Sequence, residues 1–128
     1  MTKFAHNDVL DNGPAYIKST CNKMVVVSAY AFGDSYASVM AAMLAEAAMT
    51  QSDFVLSSSG NNRVLTTSSI IFDSAANASG LANHIIFVDS VSSKVLWATE
   101  ENTPGGHQIT QGVRVDFPSL TYTSTQLS

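Results

Sequence analysis

The chain has 128 residues, a formal net charge of −4 and 12% charged residues, about half the usual share of roughly 25%. This length supports one domain with a core and excludes a two-lobed enzyme, and six scattered basic residues argue against nucleic-acid binding, which needs a basic stripe. Surface polarity is carried instead by 18 serines and 11 threonines. The single cysteine, Cys21, leaves no intramolecular disulfide and no thiolate zinc cluster.

Neither a signal peptide nor a membrane span is predicted. Residues 1–8 lack the apolar region of a signal peptide. The longest apolar stretch, 39–49, is too short to cross a bilayer and contains Glu46. We therefore expect a soluble protein that is made in a cytosol and has no membrane partner.

The first half of the chain predicts two short helices and one buried strand. Pro14 stands near the first position of a helix that runs to Cys21, where its missing N–H costs nothing. The β-branched run 24–27 predicts a strand. Ser35 is a candidate N-cap for a helix over about 35–43, and the stretch 44–49 fits either a helix or a strand.

From residue 53 onward the sequence is typical of antiparallel strands separated by turns. A loop over 57–62 and the glycine pair 105–106 are rich in turn-forming residues. The predicted strands are 54–56, 63–66, 69–72, 84–90, 94–99, 108–117 and 119–124. We therefore predict an α+β fold, mainly antiparallel β (a sandwich or small barrel-like), with one or two short N-terminal helices. An N-terminal arm (1–12) would precede a single β-rich domain (13–128).

One segment is similar to an enzyme motif. Phe32-Gly33-Asp34-Ser35 follows an apolar strand and resembles the nucleophile block of the GDSL or SGNH hydrolases, and Gly60-Asn61 could supply that family's Asn block. The family's general base is a histidine with an aspartate three residues before it, whereas His107 has Pro104 there and His84 has Leu81. A serine without its base loses nearly all activation, so Ser35 is predicted to cap a helix. We predict no enzyme and no catalytic residue.

Metal and sugar sites are also disfavoured. None of the three histidines (His6, His84 and His107) has a second ligand at helix or strand spacing, and Asp89, Glu100, Glu101 and Asp116 show no EF-hand pattern. Trp97, Tyr122 and Phe117 could form a sugar-stacking platform. Because Trp97 sits in the middle of a strand, we expect it in the core or at an interface. The sequence therefore predicts no metal and no cofactor.

Short structural motifs are spread over nearly the whole chain. They are 7–11 (Asn-Asp-Val-Leu-Asp), 24–28, 36–37 (Tyr-Ala), 53–54 (Asp-Phe), 63–66 (Arg-Val-Leu-Thr), 79–84 (Ser-Gly-Leu-Ala-Asn-His), 88–89, 96–99, 112–113 and Pro118. Through these motifs the chain resembles a family of small tailed-bacteriophage proteins of about this length. It departs from the family at 12–14, at 59–61 and at Ser119.

This resemblance implies a virion structural protein made in the host bacterial cytoplasm. Our first hypothesis is a capsid decoration (cement) protein that binds the outer shell, acts as a small homo-oligomer and has the major capsid protein or other virion proteins as partners. Phe4, Val9 and Leu10 would anchor the arm on the shell, because ordering an arm needs apolar contacts. A tail, head–tail connector or fibre-associated protein is the alternative, followed by a carbohydrate-binding module and a GDSL-like hydrolase.

Overall fold

The structure is a computed structural model that describes residues 4–5, 13–59, 62–68, 71–100 and 107–124. Two short helices, α1 (Pro14–Thr20) and α2 (Tyr36–Ala41), and a 3₁₀ turn (Gln51–Asp53) lie among short strands. The strands are β1 (Phe4–Ala5), β2 (Lys23–Val27), β3 (Met43–Ala48), β4 (Phe54–Ser59), β5 (Asn62–Thr67), β6 (Phe72–Asp73), β7 (Gly80–Ala82), β8 (His84–Asp89), β9 (Lys94–Glu100), β10 (His107–Ile109), β11 (Val115–Asp116) and β12 (Thr121–Ser124).

All the strand pairs are antiparallel within these residues. A five-stranded sheet has the order β1-β9-β8-β2-β3, and a three-stranded sheet has the order β12-β5-β4. Two small ribbons, β10-β7 and β11-β6, complete the strand pairing. The prediction of an α+β, mainly antiparallel fold with short N-terminal helices is confirmed.

The central strands of the five-stranded sheet, β2, β8 and β9, are buried on both faces. Successive strand residues point to opposite faces, so Met24 and Val26 enter a larger core while Val25 and Val27 enter a smaller one. Ile17 of α1 and the inner side of the three-stranded sheet belong to the larger core. Because neither face is wet, β2 and β8 are continuous apolar runs instead of alternating ones.

A bulge between β8 and β9 decides which core receives Trp97. Phe87 pairs with Trp97, but the next residue, Val88, pairs with Val95, so Leu96 is the extra residue on β9. Leu96 and Trp97 consequently both belong to the larger core, while Val95 belongs to the smaller one. The large indole thus fills the space between the two main sheets.

The helix predicted over 35–43 is shorter in the structure. Ser35 caps α2, as expected, but the helix ends at Ala41 and the next residues form β3 against β2. The free side of β3 is covered as well: the Leu44 carbonyl accepts from Asn77 and Ala78, and the Glu46 N–H donates to Asp73 Oδ2 at 3.0 Å. This pairing outweighs the helix propensity of the segment 43–48.

Three other predicted boundaries differ. The predicted loop 57–62 is largely strand, because β4 continues to Ser59 and β5 begins at Asn62. The predicted strand 108–117 is two short strands separated by a turn in which Gly112 has a φ of 82°, so one half pairs with β7 and the other with β6. Of the predicted strand 69–72, residues 69 and 70 lie outside the described residues, and Phe72 begins β6.

Candidate functional site

The segment that resembles a hydrolase nucleophile block forms a turn and a helix cap. The Ala31 N–H donates to Asp34 Oδ2 at 2.9 Å, while the Asp34 N–H donates to the Ala31 carbonyl at 3.0 Å. Ser35 Oγ accepts from the Ser38 N–H at 3.2 Å, which satisfies one of the open donors at the start of α2. Both polar side chains are therefore engaged by nearby backbone.

A shallow cleft of about 240 Å³ lies beside this segment, between residues 33–36 and 93–95. The Lys94 ammonium donates to the Tyr16 hydroxyl at 3.0 Å and lies 5.5 Å from the Tyr16 ring, so it is drawn towards α1. No histidine is found among the described residues that line the cleft. The cleft therefore places no imidazole base beside Ser35.

Replacing Ser35 with alanine tests the capping role. The variant should lose about 1 kcal/mol of unfolding free energy, measured by urea denaturation, because the Ser38 N–H loses its partner. Ser35→Asp should restore most of that loss, since aspartate is an equally good N-cap. An esterase activity of the wild type that vanishes in Ser35→Ala and stays absent in Ser35→Asp would contradict a purely structural serine.

His84 and Tyr30 form a buried polar pair at the edge of the smaller core. Their rings lie 5.6 Å apart, and His84 Nδ1 is 2.7 Å from Asn83 Oδ1, while Asn83 Nδ2 donates to the Ser28 carbonyl. Among the described residues, neither the buried Tyr30 hydroxyl nor the buried His84 Nε2 has a hydrogen-bond partner. His84 thus bonds a side-chain amide.

Burial lowers the pKa of His84, and Glu100, its register partner on β9, opposes this only in part. The unfolded chain therefore binds a proton at this site more readily than the folded protein. The contribution of a neutral His84 to the free energy of unfolding is fully present above about pH 6.5. It is lost as the pH falls below that value. The described side chains around His84 indicate that this histidine has a structural role.

The pH dependence of unfolding tests this account. Between pH 7.5 and pH 5, the wild type should lose more unfolding free energy than His84→Gln, because only the wild type takes up a proton here on unfolding. Urea midpoints at closely spaced pH values measure the difference. Equal losses in the two proteins would show that His84 is not held neutral by its burial.

Two further candidate metal ligands, Asp89 and Cys21, are also engaged within the fold. Asp89 Oδ1 accepts from the N–H groups of Val91 and Ser92, which shapes the β8–β9 turn. Burial raises the pKa of Cys21 to about 12, so its thiol is protonated at neutral pH. Across the described parts of the chain, no three His, Cys, Asp or Glu residues come together as a metal site.

The three aromatic residues considered for sugar stacking are not exposed as a platform. Trp97 is only 5% exposed and stacks on Phe87, with ring centroids 4.5 Å apart and an interplanar angle of 10°. Tyr122 meets Trp97 edge-on at 5.4 Å, and Phe117 is buried in the same core. These rings hold the two main sheets together, so they offer no flat aromatic surface to a sugar.

The predicted arm anchors are described only in part. The backbone of Phe4 pairs with Ala98, and that of Ala5 pairs with Trp97, so this piece of the arm is an edge strand on β9. Val9 and Leu10 lie outside the described residues, and their contact role stays a prediction. In the described part, the arm therefore lies along the domain.

The sequence did not single out the apolar side chains that the structure exposes. Phe32, before the Asp34 turn, is 75% exposed, and Val91, in the β8–β9 turn, is 86% exposed. In the sequence, the sign of this exposure was that both residues stand next to turn-forming residues. Among the described residues, the other large exposed apolar side chains are Val55, Leu81, Val113 and Phe72, and the Arg114 guanidinium lies 3.9 Å from the centre of the Phe72 ring. These side chains give the domain several apolar points of contact.

No protein-family model, curated protein or solved structure matches this chain. The described helices are all too short for any of them to traverse a lipid bilayer.

Proposed function

We propose that this protein is a structural component of a tailed-bacteriophage virion, and specifically a capsid decoration protein. It would bind the outside of the shell and stabilise the junctions between capsid subunits. The resemblance of the sequence to small phage proteins supports the class of protein. The β-rich fold and the exposed apolar side chains are consistent with a role exercised through surfaces.

The use made of its polar side chains carries this proposal. Asp34, Ser35 and Asp89 hold turns and a helix cap, and His84 is bonded to Asn83 in a buried position. In these four described residues, groups of the kind that serve active sites or metals are thus occupied in maintaining the fold. This use supports a protein that acts by binding, and many weak contacts repeated over a symmetric shell would add up to firm attachment.

The N-terminal arm is compatible with binding to the shell, with Val9 and Leu10 as its anchors. Phe4 and Ala5 add a strand to β9, so the arm is tied to the domain at one point. Residues 6–12 follow this strand and include the proposed anchors Val9 and Leu10. An arm fixed at that point would present its anchors at a defined place, which lowers the entropy cost of binding the shell.

Removal of the protein from particles tests the function. Particles that lack it should release their DNA at a lower temperature, and addition of the purified protein should restore the original temperature. Dye-accessible DNA measured during heating gives the release temperature. Particles with an unchanged release temperature would contradict a cementing role, and a loss of tail attachment would favour the connector alternative.

A further inference from the structure

A polar chain joins strand β8 to the segment that follows β2. We call residues 28–35, between β2 and α2, the connecting segment. Asn83, the residue before β8, donates its backbone N–H to the Val27 carbonyl at 3.1 Å and its side-chain Nδ2 to the Ser28 carbonyl at 2.7 Å. Its Oδ1 lies 2.7 Å from His84 Nδ1. The Asn83 side chain thus contacts the connecting segment on one side and the imidazole on the other.

The chemistry of these contacts fixes the position of the proton on His84. A backbone carbonyl can only accept, so Asn83 Nδ2 has to face Ser28 and Asn83 Oδ1 has to face the imidazole. Because an amide oxygen also only accepts, the neutral imidazole has to carry its proton on Nδ1. His84 Nε2 is therefore left as an unprotonated acceptor.

Protonation of His84 would turn this acceptor into a buried donor. His84 Nε2 is buried, and no described residue bonds it. The Tyr30 ring packs beside the imidazole, with ring centroids 5.6 Å apart, but its hydroxyl does not reach Nε2. Burying a charged N–H without an acceptor is costly, so the protonated ring is more stable where it meets water.

The groups that neighbouring strands bring to His84 do not remove this cost. Burial lowers the pKa of His84, and Glu100, its register partner on β9, opposes this only in part. On β2 the register partner is the apolar Val27. On β10, the exposed His107 pairs with Ala82, two residues before His84. The closed arrangement therefore accepts the neutral imidazole.

The connecting segment and α2 supply no titrating partner for the imidazole near neutral pH. Burial raises the pKa of Tyr30; the Gly33 N–H opposes this and the charge of Asp34 adds to it, so the phenol stays neutral. Asp34 Oδ2 itself accepts from a backbone N–H of its own turn at 2.9 Å. From α2, Val39 and Tyr36 pack in the same smaller core. A proton taken up here is thus carried by the imidazole.

We propose that Asn83 and His84 form a pH-sensitive clamp, which holds the connecting segment against β8 while His84 is neutral and releases it when His84 is protonated. The protonated ring turns towards water, so Asn83 loses the contact that orients its amide towards Ser28, and Tyr30 loses the ring on which it packs. The segment includes Phe32, which is 75% exposed, so acid changes the surface beside α2. This device goes beyond the proposed function and does not depend on it.

Nitrogen-15 NMR of the labelled full chain at pH 7.5 tests the position of the proton. The two ring nitrogens of His84 differ in chemical shift according to which of them carries the proton, and Nδ1 should be the protonated one. A ring protonated on Nε2 would contradict a donation from Nδ1 to Asn83 Oδ1 and would overturn the clamp.

Amide hydrogen exchange at pH 7.5 and pH 5.5 tests the release. The measured quantity is the protection factor, which compares the exchange of each amide with that of an unstructured chain at the same pH. The N–H groups of Ser28 and Asn83, both bonded to backbone carbonyls, should lose up to about tenfold in protection, because opening takes up a proton below about pH 6.5. The Thr67 N–H, bonded to the Leu120 carbonyl at the end of β5, should change by less than about twofold.

His84→Gln is the matched control, because its amide can still donate to Asn83 but takes up no proton, and because it leaves His107 in place. In this variant the protection of Ser28 and Asn83 should change by less than about twofold over the same pH range. Unchanged protection of these two amides in the wild type would overturn the clamp. A loss of the same size in His84→Gln would assign the effect to another titrating group, and an equal loss at Thr67 would assign it to unfolding of the whole domain. Either result would also overturn the clamp.

Discussion

Trp97→Ala should lower the unfolding free energy by about 3–5 kcal/mol, enough to remove much of the stability of a domain of this size. The indole is 5% exposed and lies between Phe87, which it stacks on at 4.5 Å, and Tyr122, which it meets at 5.4 Å. Removing it opens a large cavity in the larger core and abolishes both aromatic contacts. Far-UV circular dichroism during urea unfolding is the suitable probe, because Trp97 is the only tryptophan.

Val91→Ala is the control for this measurement. Val91 is 86% exposed in the β8–β9 turn, so its truncation should change the unfolding free energy by no more than about 0.5 kcal/mol. A loss below about 1 kcal/mol in Trp97→Ala would contradict the buried stack and reopen the hypothesis of an exposed aromatic surface.

Phe54→Ala should cost a comparable amount, about 3–5 kcal/mol, and should affect both main sheets. Phe54 belongs to β4 of the three-stranded sheet, is 2% exposed, and lies 6.4 Å from Phe87 of the five-stranded sheet, ring centroid to ring centroid. Since both rings are part of one core, the sheets should unfold together. Trp97 fluorescence and far-UV circular dichroism should therefore shift to the same lower urea midpoint.

Val55→Ala is a closely matched control, because Val55 is the next residue of the same strand and points to the opposite side. It should change stability by less than about 0.5–1 kcal/mol. Equal losses in Phe54→Ala and Val55→Ala would contradict the assignment of inner and outer faces. Separate midpoints for the two probes in Phe54→Ala would show that the sheets do not share a core.

The long β-branched runs allowed much of the fold to be predicted. The segments 84–89 and 94–99 are apolar enough, and bounded clearly enough by turn residues, to be recognised as strands. Ser35 was correctly predicted as a helix cap because a hydroxyl before a helix-forming run has a defined role. In these places the local preference and the tertiary structure agree.

β3 could not be predicted with the same certainty, since Met43–Ala48 consists of residues that favour helices. Its strand conformation depends on β2 on one side and on Asp73, Asn77 and Ala78 on the other. Those partners lie far away in sequence, so no local pattern reveals them. The same reason explains why 108–117 was predicted as one strand, although its halves pair with different strands.

The inward or outward direction of the β4 side chains was hidden for a different reason. In β4, Val55 and Leu56 are both apolar, so the period of two does not tell which of them points inward. Only the register with Leu65 and Tyr122 places Leu56 on the inner side and Val55 on the outer side. A Val-, Thr- and Ser-rich strand of this kind gives no sequence signal for which of its faces is buried.

Copy number in purified particles tests the central claim most directly. On the proposed function, quantitative mass spectrometry of purified phage particles should find the protein at a number close to that of the major shell protein, because decoration would repeat with the lattice. A dozen or so copies per particle would contradict decoration and assign the protein to the connector or tail. Complete absence from particles would contradict a virion role altogether.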